Sequence, residues 1–89
     1  MRAIVTVIGV DKTGIIAKTS NLLASTDINI LDITQTILQD LFTMVMLVDI
    51  ENSKIGFGEL SKQLDDLGHE LGIEIRIQHE DIFKSMHRI

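Results

Sequence analysis

The chain has 89 residues, which suits one domain around one core, and no cysteine, which rules out disulfides and thiolate metal sites as staples. Its 8 basic residues are scattered among 13 acidic ones, and the net charge of −5 argues against nucleic acid as a partner. Apolar residues make up 45% of the chain, much for so small an interior, so another copy is expected to cover some of that surface.

Residues 2–8 form the first expected strand, with Ala3, Val5 and Val7 on one face and Ile4, Thr6 and Ile8 on the other. Both faces are largely apolar, as suits a central strand. This start has no signal-peptide pattern, and the longest uncharged stretch, residues 41–48, is too short to span a bilayer. A cytoplasmic protein without membrane contact is therefore expected.

The run Gly9-Val10-Asp11-Lys12-Thr13-Gly14 breaks the strand and opens a helix, with Asp11 or Thr13 as its candidate cap. Ile15, Ile16, Thr19, Leu22, Leu23 and Thr26 follow at helical spacing. Asp27-Ile28-Asn29 ends that helix and leads into a β-branched run over residues 30–38. Ile28, Asp32, Thr34 and Thr36 are read on one face, and Leu31, Ile33 and Ile37 on the other. That pattern predicts an edge strand, apolar inward and polar outward.

Gln39-Asp40 is the expected turn to a second doubly apolar strand over residues 41–50, with Phe42, Met44, Met46 and Val48 on one face. Ser53 is the candidate cap of the next helix. Phe57, Leu60, Leu64, Leu67 and Leu71 make its apolar stripe, and Gly72 fits its C-cap. Ile73, Ile75 and Ile77 alternate with Glu74, Arg76 and Gln78, giving a half-buried strand. Residues 80–87 predict a short terminal helix, with acids at its start and bases at its end. Its Ile82, Phe83, Met86 and Ile89 form one apolar face, expected to cover sheet surface.

The order β-α-β-β-α-β predicts an α+β, ferredoxin-like fold: a four-stranded antiparallel sheet with two helices on one face, plus the short tail helix. The first and third strands are central in that topology, and they are the two whose faces are both apolar.

No catalytic constellation emerges. His69, His79 and His87 are spaced by ten and eight residues, which matches no compact metal-ligand pattern, so no metal is expected. Asp65 and Asp66 diverge by about 100° on a helix and read as a solvated face. The serines lack a nucleophile-elbow context, and the glycines build no phosphate loop. The segment from Gly9 to Ile15 is different. A strand-to-helix turn aims free amides and the positive helix end outward, a natural seat for a carboxylate. An ordinary capped turn is the plainer reading of the same residues.

The run from Ile4 to Ile16, followed by Asp27-Ile28-Asn29-Ile30, resembles the ACT domain, a regulatory module appended to many enzymes of amino-acid metabolism. The resemblance covers nearly the whole chain, residues 1–89. The tail resembles that of stand-alone single-ACT proteins of bacteria and archaea, and the chain is more distantly similar to the ACT repeats of the glycine-cleavage repressor. It implies a non-enzymatic homodimer that holds an amino acid between two domains and signals to a partner enzyme or regulator, with no cofactor. The ligand residues it implies are Asp11, Lys12, Thr13, Gly14 and Ile15 in the turn, and Asn29 and Ile30 at the second strand. Asn29 can donate to a carboxylate and accept from an ammonium group, whereas Asp11 suits only the ammonium. The alternative is an assembly module that docks on a partner protein without a ligand.

Overall fold

The computed structural model describes residues 1–10 and 14–86, with every side chain among them except that of Met86. Seven elements follow in the order β1 (Arg2–Val10), α1 (Ile15–Ser25), β2 (Asn29–Leu38), β3 (Leu41–Asp49), α2 (Phe57–Leu71), β4 (Glu74–His79) and α3 (Glu80–Met86). The strands form one sheet in the spatial order β2-β3-β1-β4, and each neighbouring pair is antiparallel. This is the ferredoxin-like arrangement, with β1 and β3 in the centre, as two apolar faces demand.

Register sets the core. Val5 lies between Met46 and Ile77, and Val7 between Met44 and Ile75, so these residues share one face. All six are buried. Ile15, Thr19 and Leu23 of α1 and Leu60 and Leu64 of α2 close over them. Burying one such leucine contributes about 2 kcal/mol, so this face supplies most of the drive to fold. The opposite face holds Ile4, Thr6, Ile8 and Val10 of β1 beside Leu47, Val45, Thr43 and Leu41 of β3.

Four local expectations change. β1 runs two residues past the expected end, because Gly9 still pairs with Phe42 and Val10 with Leu41. Ile73 packs so close to this position that a side chain has no space: a Cβ on Gly9 would sit 2.4 Å from Ile73 Cγ2. β2 contains a bulge between Ile30 and Asp32, which makes Leu31 the extra residue. The bulge shifts parity, so Ile28 is buried and does not share the exposed face of Asp32. Nor is β2 tucked inward: Leu31, Ile33 and Ile37 stay 44%, 39% and 59% exposed.

The cap of α2 also differs. Gly56, not Ser53, holds that position, and no side chain bonds to it. The Ser53 hydroxyl instead donates to the Ile55 carbonyl at 2.8 Å and organises the approach to the helix. Gly72 does end α2, in the left-handed conformation at φ 70 that favours glycine. The β2–β3 turn is made without glycine, Gln39 taking a φ of 57. α3 packs against β1 and β4. It is tied there by Arg2, whose Nε and Nη2 donate to Glu80 at 3.0 and 2.6 Å. His87, Arg88 and Ile89 lie outside the described residues, so the tail helix is described only to Met86.

Candidate functional site

Gly14 opens α1 with a φ of 89, and among the described residues no side chain caps the helix and no acid lies in its first turn. The amides of Ile15, Ile16 and Ala17 therefore have no intrahelical acceptor, and the positive end of α1 faces outward. The first helical bond is the Lys18 amide donating to the Gly14 carbonyl at 2.9 Å. No described atom lies within 4 Å of a Cβ built on Gly14. Among the described residues, its lack of a side chain thus serves its backbone angle and not a close approach.

Ile15 is 2% exposed and packs into the core, so what it can offer a ligand is its amide. Asp11, Lys12 and Thr13 lie outside the described residues. Asn29 is exposed at the first position of β2, and Ile30 beside it is half-buried and pairs with Val48.

The register places the two groups at opposite ends of the sheet. Asn29 pairs with Asp49, and Asp49 with Arg2 at the start of β1. Gly14 lies past Val10, which pairs with Leu41, itself opposite Leu38 at the end of β2. Eight strand residues separate these levels, about 26 Å at 3.3 Å per residue. One chain does not bring the turn and Asn29 together.

The start of β2 is bordered by carboxylates. Asp27 pairs with Lys54 at 3.6 Å, and Asp49 lies across the strand from Asn29. The Glu51 amide donates to Asp49 at 3.0 Å and, with the Met1 amine 3.6 Å from the same carboxylate, holds its carboxyl below the ordinary value. A lowered folded value means that Asp49 helps the fold above the usual carboxylate range. That help is lost as pH falls through the folded value. The same end of the molecule carries a cleft of about 510 Å³, with Ile50, Ile55, Phe57 and Leu60 in its wall. The sequence reading passed over it, although the apolar Ile50 and Ile55 flanking a polar break were its signal.

Other candidate groups resolve into ordinary contacts. Ligand atoms of Asp65, Asp66 and His69 come within 4.8 Å of one another, but all three residues are exposed. Asp65 pairs with His69 at 3.7 Å and Asp66 with Lys62 at 4.0 Å. His79 stacks on Phe57, with ring centroids 4.1 Å apart. No helix among the described residues is long and apolar enough to cross a membrane.

A family model described as an ACT domain matches residues 2–78. A UPF0237 protein of Methanocaldococcus jannaschii is 57% identical over 88 residues, covering 99% of this chain and 98% of its own. An ACT domain protein from Streptococcus pneumoniae superposes with a TM-score of 0.82 at 40% identity, over 94% of each chain. A putative glycine cleavage system transcriptional repressor shares the fold, with a TM-score of 0.72 at 22% identity over 86% of this chain and 44% of its own.

Proposed function

We propose that this chain, which belongs to the ACT domain family, is a non-catalytic sensor that binds an amino acid between two copies of itself. ACT domains are regulatory, ligand-binding modules, and the family gives the class of function. The finer reading rests on one observation: two groups that could hold the two ends of an amino acid stand about 26 Å apart. The amide-lined opening of α1 suits a carboxylate. At the start of β2 the side-chain oxygen of Asn29 can accept from an ammonium group, beside Asp27 and Asp49, which are paired with Lys54 and the Met1 amine.

An α-amino acid carries both groups only a few ångströms apart, so the two parts must come from different chains. The geometry of the edge strand favours this. β2 runs parallel to β1, and an antiparallel β2–β2 contact between copies sets Asn29 of one level with Leu38 of the other. That is the end at which the other copy's α1 opens. The ligand would then seal two copies, and its loss would loosen them, which is a signal a partner protein can read.

The test is a thermal-shift screen against the individual amino acids. A ligand bound only by the native state raises the melting temperature in proportion to RT ln(1 + [L]/Kd), about 2.7 kcal/mol at one hundred times Kd. One amino acid, or a chemically related few, should give a saturating shift. Uniform silence would favour the second reading, an assembly module that docks without a ligand. The exposure of every residue from 31 to 41 supports that second reading.

A further inference from the structure

Where β3 ends, residues 50–56 lead to α2 and wall the cleft of about 510 Å³. That volume falls in the range of roughly 300–1,000 Å³ that small-molecule sites occupy. Ile50, Ile55 and Phe57 in its wall are half-buried, and Leu60 is buried. Hydrogen bonds hold these walls apart. The Ile50 amide donates to the Met1 carbonyl at 2.9 Å, and the Ser53 amide to the Ile50 carbonyl at 3.2 Å. The Lys54 amide donates to the Thr26 carbonyl at 2.9 Å, which fastens the loop to the turn after α1. The Ser53 hydroxyl donates to the Ile55 carbonyl at 2.8 Å, and the Phe57 ring is stacked on His79 at 4.1 Å. The cleft is therefore preformed, and an apolar body that fills it takes those walls out of water.

Charge decides what else the occupant carries. Glu51 lines the cleft, is exposed, and has no ionic partner among the described residues. The cations nearby are already engaged: the Met1 amine pairs with Asp49 at 3.6 Å, and Lys54 with Asp27 at 3.6 Å. The opening of α2 has its own acid in Glu59, as the helix dipole favours. An anion at this cleft would meet two carboxylates and no free cation. A cation meets a free carboxylate.

We infer that this cleft binds a small primary amine with an aromatic or branched aliphatic body. The body lies among Ile50, Ile55, Phe57 and Leu60, and the ammonium group lies at Glu51. The site belongs to a single chain and is independent of the amino-acid site between two copies. Its ligand class differs as well, because a free carboxylate on the ligand is disfavoured beside Glu51.

The test titrates the whole chain with 2-phenylethylamine by calorimetry. Three controls accompany it: 2-phenylethanol has the same body without charge, 3-phenylpropionate has the opposite charge, and methylamine has no body. The amine should bind about two- to fivefold more tightly than the alcohol, which is what an exposed ion pair contributes. The acid and methylamine should show no saturable binding. Glu51→Gln should bring the amine down to the alcohol and leave the alcohol unchanged. Ile55→Ala should weaken amine and alcohol by the same factor, about fivefold or more, with an unchanged circular dichroism spectrum. Backbone amide resonances should shift with the amine at residues 50–58 and stay in place at Gly14, Ile15 and Asn29. Silence of the amine, equal binding of amine and alcohol, tighter binding of the acid, or shifts confined to Gly14, Ile15 and Asn29 would overturn the proposal.

Discussion

Gly9 and Thr19 carry opposite kinds of stress. Gly9 leaves β1 no room: an added Cβ would stand 2.4 Å from Ile73 Cγ2 and 2.8 Å from Ile73 Cβ. The second of these atoms is fixed to the backbone, so a change of rotamer does not relieve the clash. Gly9→Ala should therefore destabilise by about 1–3 kcal/mol, read as a lower denaturation midpoint with an unchanged slope. Thr19 is 0% exposed, and among the described residues its Oγ1 has no hydrogen-bond partner. A desolvated hydroxyl costs about 1–3 kcal/mol, and valine has the same branched shape without the polar atom. Thr19→Val should raise the melting temperature by about 4–8 °C for each kcal/mol recovered in a domain of this size. A fall in melting temperature would mean that the hydroxyl meets a partner, such as an internal water.

Among the elements, β1, β3 and β4 were legible because each carries its fold position in its own residues. Ala3, Val5 and Val7 mark one face of β1, and Ile75 and Ile77 stand against Glu74 and Arg76 in β4. β2 was harder. An apolar Leu31 reads as one more alternating residue, and only pairing with β3 reveals it as the bulge. The start of α2 was misplaced because Ser53 has a capping side chain, yet the chain spends it on Ile55. The parts of the candidate site were legible in Gly14 and Asn29, but the distance between them depends on sheet register, which no single residue encodes. α3 gives the element-scale prediction. The Arg2–Glu80 pair joins it to β1, and Ile4 near that contact is 9% exposed although it lies on the face away from α1 and α2. Deleting residues 80–89 should remove that half-exposed pair, worth no more than about 1 kcal/mol, together with whatever apolar cover α3 provides. A melting temperature lower by several degrees is expected, and an unchanged one would make the tail a free appendage.

At the scale of the whole molecule, the question is whether a ligand site exists in one chain or only between two. The two answers differ when variants are mixed. Gly14→Val disfavours the left-handed φ of 89 that opens α1, and Asn29→Ala removes the polar group at the start of β2. Circular dichroism must first show each variant folded, because the strain at Gly14 threatens the turn itself. Each homodimer then carries two damaged sites, with Asn29→Ala weakening a bound amino acid by about 1–3 kcal/mol, roughly five- to 150-fold. If the turn of one copy works with Asn29 of the other, a mixed dimer holds one intact site and one doubly damaged site. Random exchange makes half of the dimers mixed, so about a quarter of all sites should regain parental affinity, a property that only a shared two-fold interface confers. Calorimetric titration of the mixture, with the amino acid identified by thermal shift, reads that fraction directly as stoichiometry. If mixing restores no high-affinity binding although the chains exchange, the site lies within one chain. The separation of the turn from Asn29 would then mean that one of them plays no part in binding.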